Sequence, residues 1–336
     1  MTGRGTPAAV LAGLGTALPP RAVPSRDIGE HLGVEESWIV QRTGIRSRFR
    51  CDQNTTTVDL AAGAGAAALE SSGETAADAV VVATVTPDRL LPAAAPAVAA
   101  RLGLEGACAF DVAAACTGLL CAVQTAQGLI ATGSAGRVLV IAADRMSHVT
   151  DPNDPATAPL FGDGAAALVV RPGSPGEPGA FGPAVLGSDG RYADALHAPH
   201  GRFLQMRGRE VFQHAVTRLT EVSGQAASAA GWRPGDVDRF VPHQANGRIT
   251  AAVAQRLGLD GQRVVESIGH LGNTSAASIA LTLAHGAAQD RITAGQRVLL
   301  AAFGAGLTWG ATTLRWPSLR CVAGHPVPSA LIREAP

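Results

Sequence analysis

Val98-Ala-Ala-Arg-Leu-Gly-Leu-Glu-Gly106 recurs 155 residues later as Val253-Ala-Gln-Arg-Leu-Gly-Leu-Asp-Gly261. A second stretch, Arg137-Val-Leu-Val-Ile-Ala-Ala143, recurs 160 residues later as Arg297-Val-Leu-Leu-Ala-Ala-Phe303. A single short match arises easily by chance, but two matches in the same order at nearly the same offset indicate an internal duplication. The sequence therefore predicts two related halves, residues 1–172 and 173–336, that pack about a pseudo-twofold axis.

Short apolar segments alternate with alanine-rich segments of helical length in the first half. The pattern predicts strands at 79–85, 108–112, 137–143 and 164–170, and helices at 59–72, 96–102 and 117–131. Fully apolar strands between helices are typical of a parallel or mixed sheet that is covered on both faces. An α/β fold is therefore expected, with the Gly- and Pro-rich segment 172–183 as the linker between the halves.

The composition argues against several classes of protein. Hydrophobic residues make up 46% of the 336 residues, and a chain of this length buries enough surface to fold without disulfides. The 27 basic and 27 acidic side chains balance, whereas nucleic-acid-binding proteins usually carry a basic excess. No Cys or His spacing suits a metal, and no apolar run reaches the roughly 18 residues that a membrane span needs. Five cysteines without paired spacing predict reduced thiols in a cytoplasmic protein.

One cysteine stands where a nucleophile is expected. Asp111-Val-Ala-Ala-Ala-Cys-Thr-Gly118 places Cys116 after a predicted strand and at the start of a predicted helix. Unpaired backbone N–H groups and the helix dipole at such a position are expected to lower a thiol pKa and favour the thiolate. The alternative is a buried structural cysteine, which is the interpretation kept for the other four, Cys51, Cys108, Cys121 and Cys321.

Two polar residues and one turn elsewhere in the chain favour a catalytic role for Cys116 over a structural one. His243 follows a predicted strand and precedes a helix, a position where ligands of α/β sheets gather. Asn273 starts another helix, and the small-residue turn 302–310 exposes backbone N–H groups. If equivalent helix starts meet about the pseudo-twofold axis, Cys116 and Asn273 face one cleft that favours developing negative charge. Taken singly, the alternatives are a packing histidine, an asparagine N-cap and a plain hairpin.

Five motifs together resemble one enzyme family. The chain is similar to bacterial β-ketoacyl-[acyl-carrier-protein] synthase III, a ketosynthase III, over about residues 8–317. The matching stretches are Ser37-Trp-Ile-Val-Gln-Arg-Thr-Gly-Ile-Arg46, Asp111-Val-Ala-Ala-Ala-Cys116, Phe161-Gly-Asp-Gly164, Val241-Pro-His-Gln-Ala-Asn246 and Gly272-Asn-Thr-Ser-Ala-Ala277. The resemblance implies a thiolase fold of five αβαβα layers, a homodimer and no metal or redox cofactor.

The resemblance also implies a reaction in two steps. An acyl-CoA starter acylates Cys116, and the backbone N–H groups of Cys116 and Ala305 form the oxyanion hole. Malonyl-[acyl carrier protein] then loses CO2, and His243 and Asn273 donate hydrogen bonds to the enolate oxygen. Attack on the acyl-cysteine releases 3-oxoacyl-[acyl carrier protein], which begins fatty-acid or polyketide synthesis.

Substrate-binding roles follow from the same resemblance. It places Trp38 and Arg42 at the nucleotide end of CoA, and Gly208 and Asn246 along the pantetheine channel. Leu91, contributed by the partner subunit, and Met206 are implied for the acyl pocket. Arg248 and Arg256 are implied for contact with the acidic carrier protein, with a solvated helix face as the alternative.

Four positions depart from the family pattern. Pro155 stands where an arginine often stacks on the CoA adenine, and Gln213 replaces a lysine that usually meets the carrier. Leu91 replaces an aromatic residue, which predicts a pocket open to starters larger than acetyl. Ala305 replaces a glycine but keeps its N–H. These departures leave open whether CoA or a carrier protein delivers the starter, and which starter and pathway are physiological.

Two other functions remain as alternatives. One is an acyltransferase of the same fold that moves an acyl group without decarboxylation in a secondary-metabolite pathway. The other is a non-catalytic partner subunit. The first usually loses the asparagine or repositions the histidine, and the second loses the nucleophile. The presence of Cys116, His243 and Asn273 therefore favours the condensing enzyme.

Overall fold

The computed structural model describes residues 6–327, which form two mixed sheets with helices between them and on their outer faces. The strands are β1 Ala8–Ala17, β2 Arg21–Pro24, β3 Ser47–Arg50, β4 Ala79–Ala83, β5 Cys108–Val112, β6 Val138–Arg145, β7 Asp163–Gly173, β8 Val185–Ser188, β9 Leu196–His197, β10 Gln205–Met206, β11 Arg239–Pro242, β12 Arg297–Gly304, β13 Thr308–Arg315 and β14 Cys321–Gly324. No helix within these residues is long and apolar enough to cross a membrane.

The longer helices of the first half follow the alanine-rich segments of the sequence. The helices are α1 Ser25–Leu32, α2 Glu36–Thr43, α3 Thr57–Ser72, α4 Ala94–Arg101, α5 Gly118–Ala131, α6 Gly208–Ala229, α7 Gly247–Arg256, α8 Ile268–Leu271 and α9 Ser278–Ala288. Two short 3-10 turns, Ala115–Thr117 and Ser275–Ala277, lead directly into α5 and α9.

The two sheets share one strand order, which supports the predicted duplication. The first sheet runs β14-β1-β7-β6-β4-β5, and the second runs β8-β13-β12-β11. In both, the outer pairs β1–β7 and β8–β13 are antiparallel, whereas β6–β4 and β12–β11 are parallel. A parallel bridge between Phe240 and Val264 stands beside β11 where β5 stands beside β4. Each half therefore repeats the same five-position sheet.

Five layers result from stacking the halves. Helices α3 and α4 cover the outer face of the first sheet, and α6 and α7 cover the outer face of the second. Helices α5 and α9 lie between the sheets, where their apolar side chains join β1, β6 and β12 in one buried cluster. The thiolase arrangement expected from the sequence is confirmed.

Several predicted element boundaries shift by one to three residues, and at three of them a carboxylate binds backbone N–H groups. Helix α3 begins two residues early, since Thr56 and Asp59 form a capping box. Strand β4 ends at Ala83, and Asp144 accepts the N–H of Val85 at 2.8 Å. Helix α4 begins at Ala94, because Asp111 accepts the N–H groups of Ala94 and Ala95 at 2.7 and 2.8 Å. Short polar side chains set these limits, locally at α3 and from more distant segments at β4 and α4.

The C-terminal segment returns to the first half. Strand β14 pairs in parallel with β1, so residues 321–324 extend the first sheet. A division of the chain at residue 172 assigns these residues to the second half, although they pack with the first. Beyond it, the N–H of Val327 donates to the carbonyl of Asp59 at 3.0 Å. Gly63 of α3 lies directly under this segment, and a Cβ there would overlap the His325 carbonyl. Residues 321–327, the described part of a tail for which the sequence offered no role, cover one edge of the sheet.

Gly63→Ala should destabilise the fold through this contact, although alanine is usually the better helix residue. We expect the free energy of unfolding to fall by about 1–3 kcal/mol, since the added methyl displaces the tail. The matched control is Gly128→Ala in α5, where a Cβ meets open space and stability should rise by about 0.5–1 kcal/mol. Urea unfolding measures both. If Gly63→Ala stays destabilising in a chain that ends at Pro317, the tail is not the cause.

Candidate active site

The structure brings Cys116, His243 and Asn273 to the wall of one cavity of about 810 Å³. All three side chains are buried. They come from the turn before α5, the residue after β11 and the loop before α9. A cavity of this size and enclosure is typical of a small-molecule or cofactor site.

Cys116 lies where the starts of the two central helices meet. Ala115 and Ser275 are offset by 160 residues and both have a positive φ, of 46° and 50°. A Cβ on Gly118 would lie 3.2 Å from the Cβ of Ala276, so the two turns are in van der Waals contact. The expected meeting of equivalent helix starts is therefore present. The residue equivalent to Cys116 is Ala276, however, and Asn273 precedes that position by three residues.

The Cys116 thiol is protonated at neutral pH, which corrects the expectation of a low pKa. Burial raises the pKa of Cys116 to about 12, the Ser275 hydroxyl lowers it, and the buried Asp144 carboxylate raises it further. The Cys116 Sγ lies 3.7 Å from the Ser275 Oγ. The helix start is present as predicted, but loss of hydration in a closed site outweighs the dipole.

His243 is held rigidly and is uncharged. Its backbone N–H donates to the carbonyl of Ala301 at 2.7 Å, which continues the β11–β12 pairing by one residue. Its Nδ1 lies 2.6 Å from the Ser278 Oγ. Burial lowers the pKa of His243 to about 3, so the imidazole is neutral at physiological pH. A neutral imidazole keeps one N–H to donate and one nitrogen to accept.

The Asn273 side chain caps a turn with its amide oxygen and retains its amide nitrogen as a donor. Its backbone bonds to Leu160 and Gly162 at 2.9 and 3.0 Å, which fixes its position beside the Phe161 motif. Its Oδ1 accepts the N–H of Ser275 at 2.9 Å. The N-cap alternative and the catalytic interpretation are thus compatible, because the bond occupies the amide oxygen and orients the Nδ2 group as the remaining donor.

The turn between β12 and β13 packs against the nucleophile. A Cβ on Gly304 would lie 2.7 Å from the backbone nitrogen of Cys116, so only glycine allows this approach. The hydroxyls of Thr117 and Thr308 are 2.7 Å apart and connect the two turns. Ala305 lines the cavity, and its N–H donates to no other described residue. Two backbone N–H groups, those of Cys116 and Ala305, therefore border the same space.

Most of the predicted substrate-binding residues line the cavity. Trp38, Arg42, Gly208, Asn246 and Met206 all do so. The Arg42 guanidinium lies 4.2 Å from the centre of the Trp38 ring. Asn246 donates from its Nδ2 to the carbonyl of Arg42 at 3.1 Å, which connects α2 to the start of α7. Pro155 and Gln213, two of the departures from the family pattern, also border the cavity.

Other predicted residues lie elsewhere. Leu91 does not line the cavity of its own chain, and 82% of it is exposed. Arg248 borders the cavity, whereas Arg256 lies exposed in the last turn of α7, away from it. Among the described residues, no group of His, Cys, Asp or Glu side chains is arranged to hold a metal ion.

Sequence reasoning missed one cation in the cavity wall. Arg209, in the first turn of α6, joins Arg42 and Arg248 there, and no Asp or Glu of the described chain lines the cavity. The chain as a whole is neutral, so this segregation of charge arises from the fold. Clefts lined by one sign of charge attract ligands of the other, here anionic groups.

The raised thiol pKa has a measurable consequence. We expect alkylation of Cys116 by iodoacetamide to be slow at pH 7 and to rise about tenfold per pH unit up to pH 10, because only the thiolate reacts. Peptide mass spectrometry follows Cys116 separately from the exposed Cys108, and Cys116→Ala is the control for assignment. A rate that levels off near pH 7 would contradict a protonated resting thiol.

Comparison with known proteins agrees with this geometry. Models of 3-oxoacyl-[acyl-carrier-protein] synthase III match residues 110–190, and models of its C-terminal region match residues 227–316. A β-ketoacyl-[acyl-carrier-protein] synthase III of Streptomyces coelicolor is 47% identical over 94% of this chain and 99% of its own. The crystal structure of 3-oxoacyl-(acyl carrier protein) synthase III from Pseudomonas aeruginosa superposes with a TM-score of 0.91 at 45% identity, covering 93% of this chain and 99% of that one.

A second solved structure is the priming β-ketosynthase of a polyketide biosynthetic pathway. It superposes with a TM-score of 0.88 at 34% identity, and the match covers 94% of this chain and 99% of that chain. Both matches cover nearly the whole of each chain, so the similarity extends over the complete fold of these two structures. The chain therefore belongs to the 3-oxoacyl-[acyl-carrier-protein] synthase III family of condensing enzymes.

Proposed function

We propose that the protein condenses an acyl-CoA starter with malonyl-[acyl carrier protein], giving 3-oxoacyl-[acyl carrier protein], CO2 and CoA. The observation that carries the proposal is the convergence of a thiol, a neutral imidazole and a carboxamide on one buried cavity with three arginines and no carboxylate in its described wall. Both substrates are thioesters on a phosphate-bearing arm, which suits a cationic, otherwise apolar channel.

Acyl transfer takes place at Cys116, with Ala305 of the second half as a second backbone donor. The Cys116 sulfur attacks the thioester carbonyl, and the CoA thiol leaves with the proton that the Cys116 thiol gives up. The N–H groups of Cys116 and Ala305 stabilise the oxyanion that forms. A resting thiol with a raised pKa makes the free enzyme unreactive toward other electrophiles, and removal of its proton belongs to the reaction with bound substrate.

Condensation uses the second half of the chain. The malonyl thioester loses CO2, and its carbonyl becomes an enolate whose oxygen accepts hydrogen bonds from His243 Nε2 and Asn273 Nδ2. The carbanion carbon attacks the acyl-Cys116 carbonyl, and the thiolate of Cys116 leaves. Neutral donors suit this step, because a cationic imidazole would be costly in a closed apolar site.

The cavity mouth is the proposed channel for the substrate arm. Trp38 and Arg42 would meet the nucleotide end of CoA, and Gly208 and Asn246 would lie along pantetheine. Arg209 supplies an exposed cation to the same cavity that Pro155 borders, where it would meet the phosphates of the arm. Arg248 and Arg256 stay proposed contacts for the acidic carrier protein.

The alternative acyltransferase is less well supported. Transfer without decarboxylation needs no pair of donors opposite the nucleophile, yet His243 and Asn273 are both buried, oriented and aimed at the cavity. The pathway is fatty-acid initiation or, as for the similar priming ketosynthase, polyketide initiation. A cytoplasmic location is also proposed, since the five cysteines are unpaired thiols.

Asn273→Asp should separate the two steps. The aspartate keeps the oxygen that accepts the Ser275 N–H but replaces the donor with a second acceptor. We expect CO2 release from malonyl-[acyl carrier protein] to fall by about 10²–10³, the usual cost of losing an oxyanion donor. Acylation of Cys116 by acyl-CoA, followed by intact-protein mass, should continue, and Cys116→Ala should form no adduct. Full CO2 release by Asn273→Asp would rule out its role as enolate donor.

A homodimer is proposed from the free edge of the first sheet. Strand β5 is the edge strand, its Cys108 is exposed and its Phe110 is half-buried. The nearby loop exposes Leu90 and Leu91 by 80% and 82%. An unpaired apolar edge is a template for another strand, and the same edge of a second copy satisfies it by twofold symmetry. In such a dimer Leu91 would reach the acyl pocket of the partner.

Leu91→Phe tests the partner contact through starter selection. If the partner's Leu91 closes the acyl pocket, the larger ring should lower acylation kcat/KM for branched or longer acyl-CoAs by about 10- to 200-fold while acetyl-CoA is retained. Leu90→Phe, one residue away and equally exposed, is the matched control. Sedimentation equilibrium gives the oligomeric state. A monomer, or the same starter profile in both variants, would refute the contact.

A further inference from the structure

The partner of His243 in the second half is a buried serine. Ser278 opens helix α9, is 1% exposed, and holds its Oγ 2.6 Å from the Nδ1 of His243. The same Oγ accepts the backbone N–H of Gln244 at 3.3 Å. Ser278 therefore contacts two consecutive residues after β11, and it reaches the imidazole on the side away from the cavity.

The surrounding hydrogen bonds determine which group donates in the bond between the Ser278 hydroxyl and the His243 Nδ1. Gln244 already donates to the Ser278 oxygen, and among the described residues no carbonyl or carboxylate accepts the Ser278 hydroxyl proton. The nearby Thr282 hydroxyl is itself a donor, to the Ser278 carbonyl at 2.7 Å. If Nδ1 carried the imidazole proton, the hydroxyl proton would be buried without an acceptor, which is unfavourable.

We infer that Ser278 donates to Nδ1 of His243 and so holds the imidazole in the tautomer that carries its proton on Nε2. No described group hydrogen-bonds to Nε2, which is the nitrogen left for the cavity. The neutral state of the buried ring makes the tautomer decisive, because only one nitrogen has a proton to donate.

The consequence rests on the proposed function and deepens it. With the proton on Nε2, His243 is a hydrogen-bond donor to the enolate oxygen and not a base toward the substrate. Ser278 touches neither substrate nor reacting atoms, so it is a positioning residue. The acylation step does not use His243 as a donor, and it should be insensitive to Ser278.

The experiment compares Ser278→Ala with Ser278→Thr and with Ser223→Ala. Threonine keeps the hydroxyl. Ser223 is a buried serine of α6 whose Oγ has no hydrogen-bond partner among the described residues, which makes it a matched control. We expect Ser278→Ala to lower the single-turnover rate of condensation from preformed acyl-enzyme by about 10- to 100-fold, the range found when the hydrogen-bond partner that orients a metal-bound histidine is removed. KM for malonyl-[acyl carrier protein] and the acylation rate should stay within about twofold, and Ser278→Thr should recover most of the rate.

Nitrogen-15 NMR of histidine-labelled protein gives a readout that does not depend on activity. Among the nine histidines, His243 is assigned by its loss in His243→Gln. We expect the Nε2–H tautomer in wild type and a mixed or Nδ1–H tautomer in Ser278→Ala. An Nδ1–H tautomer in wild type, equal loss of both half-reactions, or no change in condensation would overturn the inference. If the wild-type protein is acylated but releases no CO2, the proposed function is wrong. The NMR comparison of wild type with Ser278→Ala still shows whether Ser278 sets the His243 tautomer.

Discussion

The contact between the starts of the two central helices is the constraint on which the rest of the molecule depends. Gly118 and Ala276 meet there without room for larger side chains, and Gly304 lies against the Cys116 backbone. Buried Asp144 accepts the N–H of Val85, just after β4, at 2.8 Å and the N–H of Ala276 at 3.2 Å, so it connects the turn before α9 to the first sheet. Small residues thus bring the two turns together, and one buried carboxylate fixes the second turn at the centre of an apolar layer.

Burial, more than the helix dipoles, sets the chemistry of this centre. It raises the pKa of the Cys116 thiol and lowers that of the His243 imidazole, so both groups rest uncharged. Hydrogen bonds then decide what each neutral group does: Ser278 orients the imidazole and Ser275 orients the carboxamide of Asn273. The three arginines of the cavity wall, Arg42, Arg209 and Arg248, are exposed and therefore lie at its mouth. An anionic arm is attracted there, while neutral donors act inside.

The two edges of the first sheet differ in what covers them, and both edges bear on function. The tail supplies β14, which covers β1, and its path requires Gly63 beneath it. Strand β5 at the opposite edge continues directly into the Cys116 turn. A partner that pairs with β5 would therefore stiffen the strand that carries the nucleophile. The second sheet has only the Phe240–Val264 bridge at the matching position, so the halves are not equivalent in this respect.

The sequence by itself determined the duplication, the central strands and helices of the first half, and the three polar residues that converge. Local apolar periodicity, a repeat at a nearly constant offset, and short motifs at strand ends and helix starts indicate these features. Element ends were less predictable, since Asp111 and Asp144 bind N–H groups far away in sequence. Only the tertiary structure decided the thiol pKa, the Ser278 contact, the cation at Arg209 and the path of the tail. Desolvation and long-range hydrogen bonds exist only once distant segments pack together, so no local pattern encodes them.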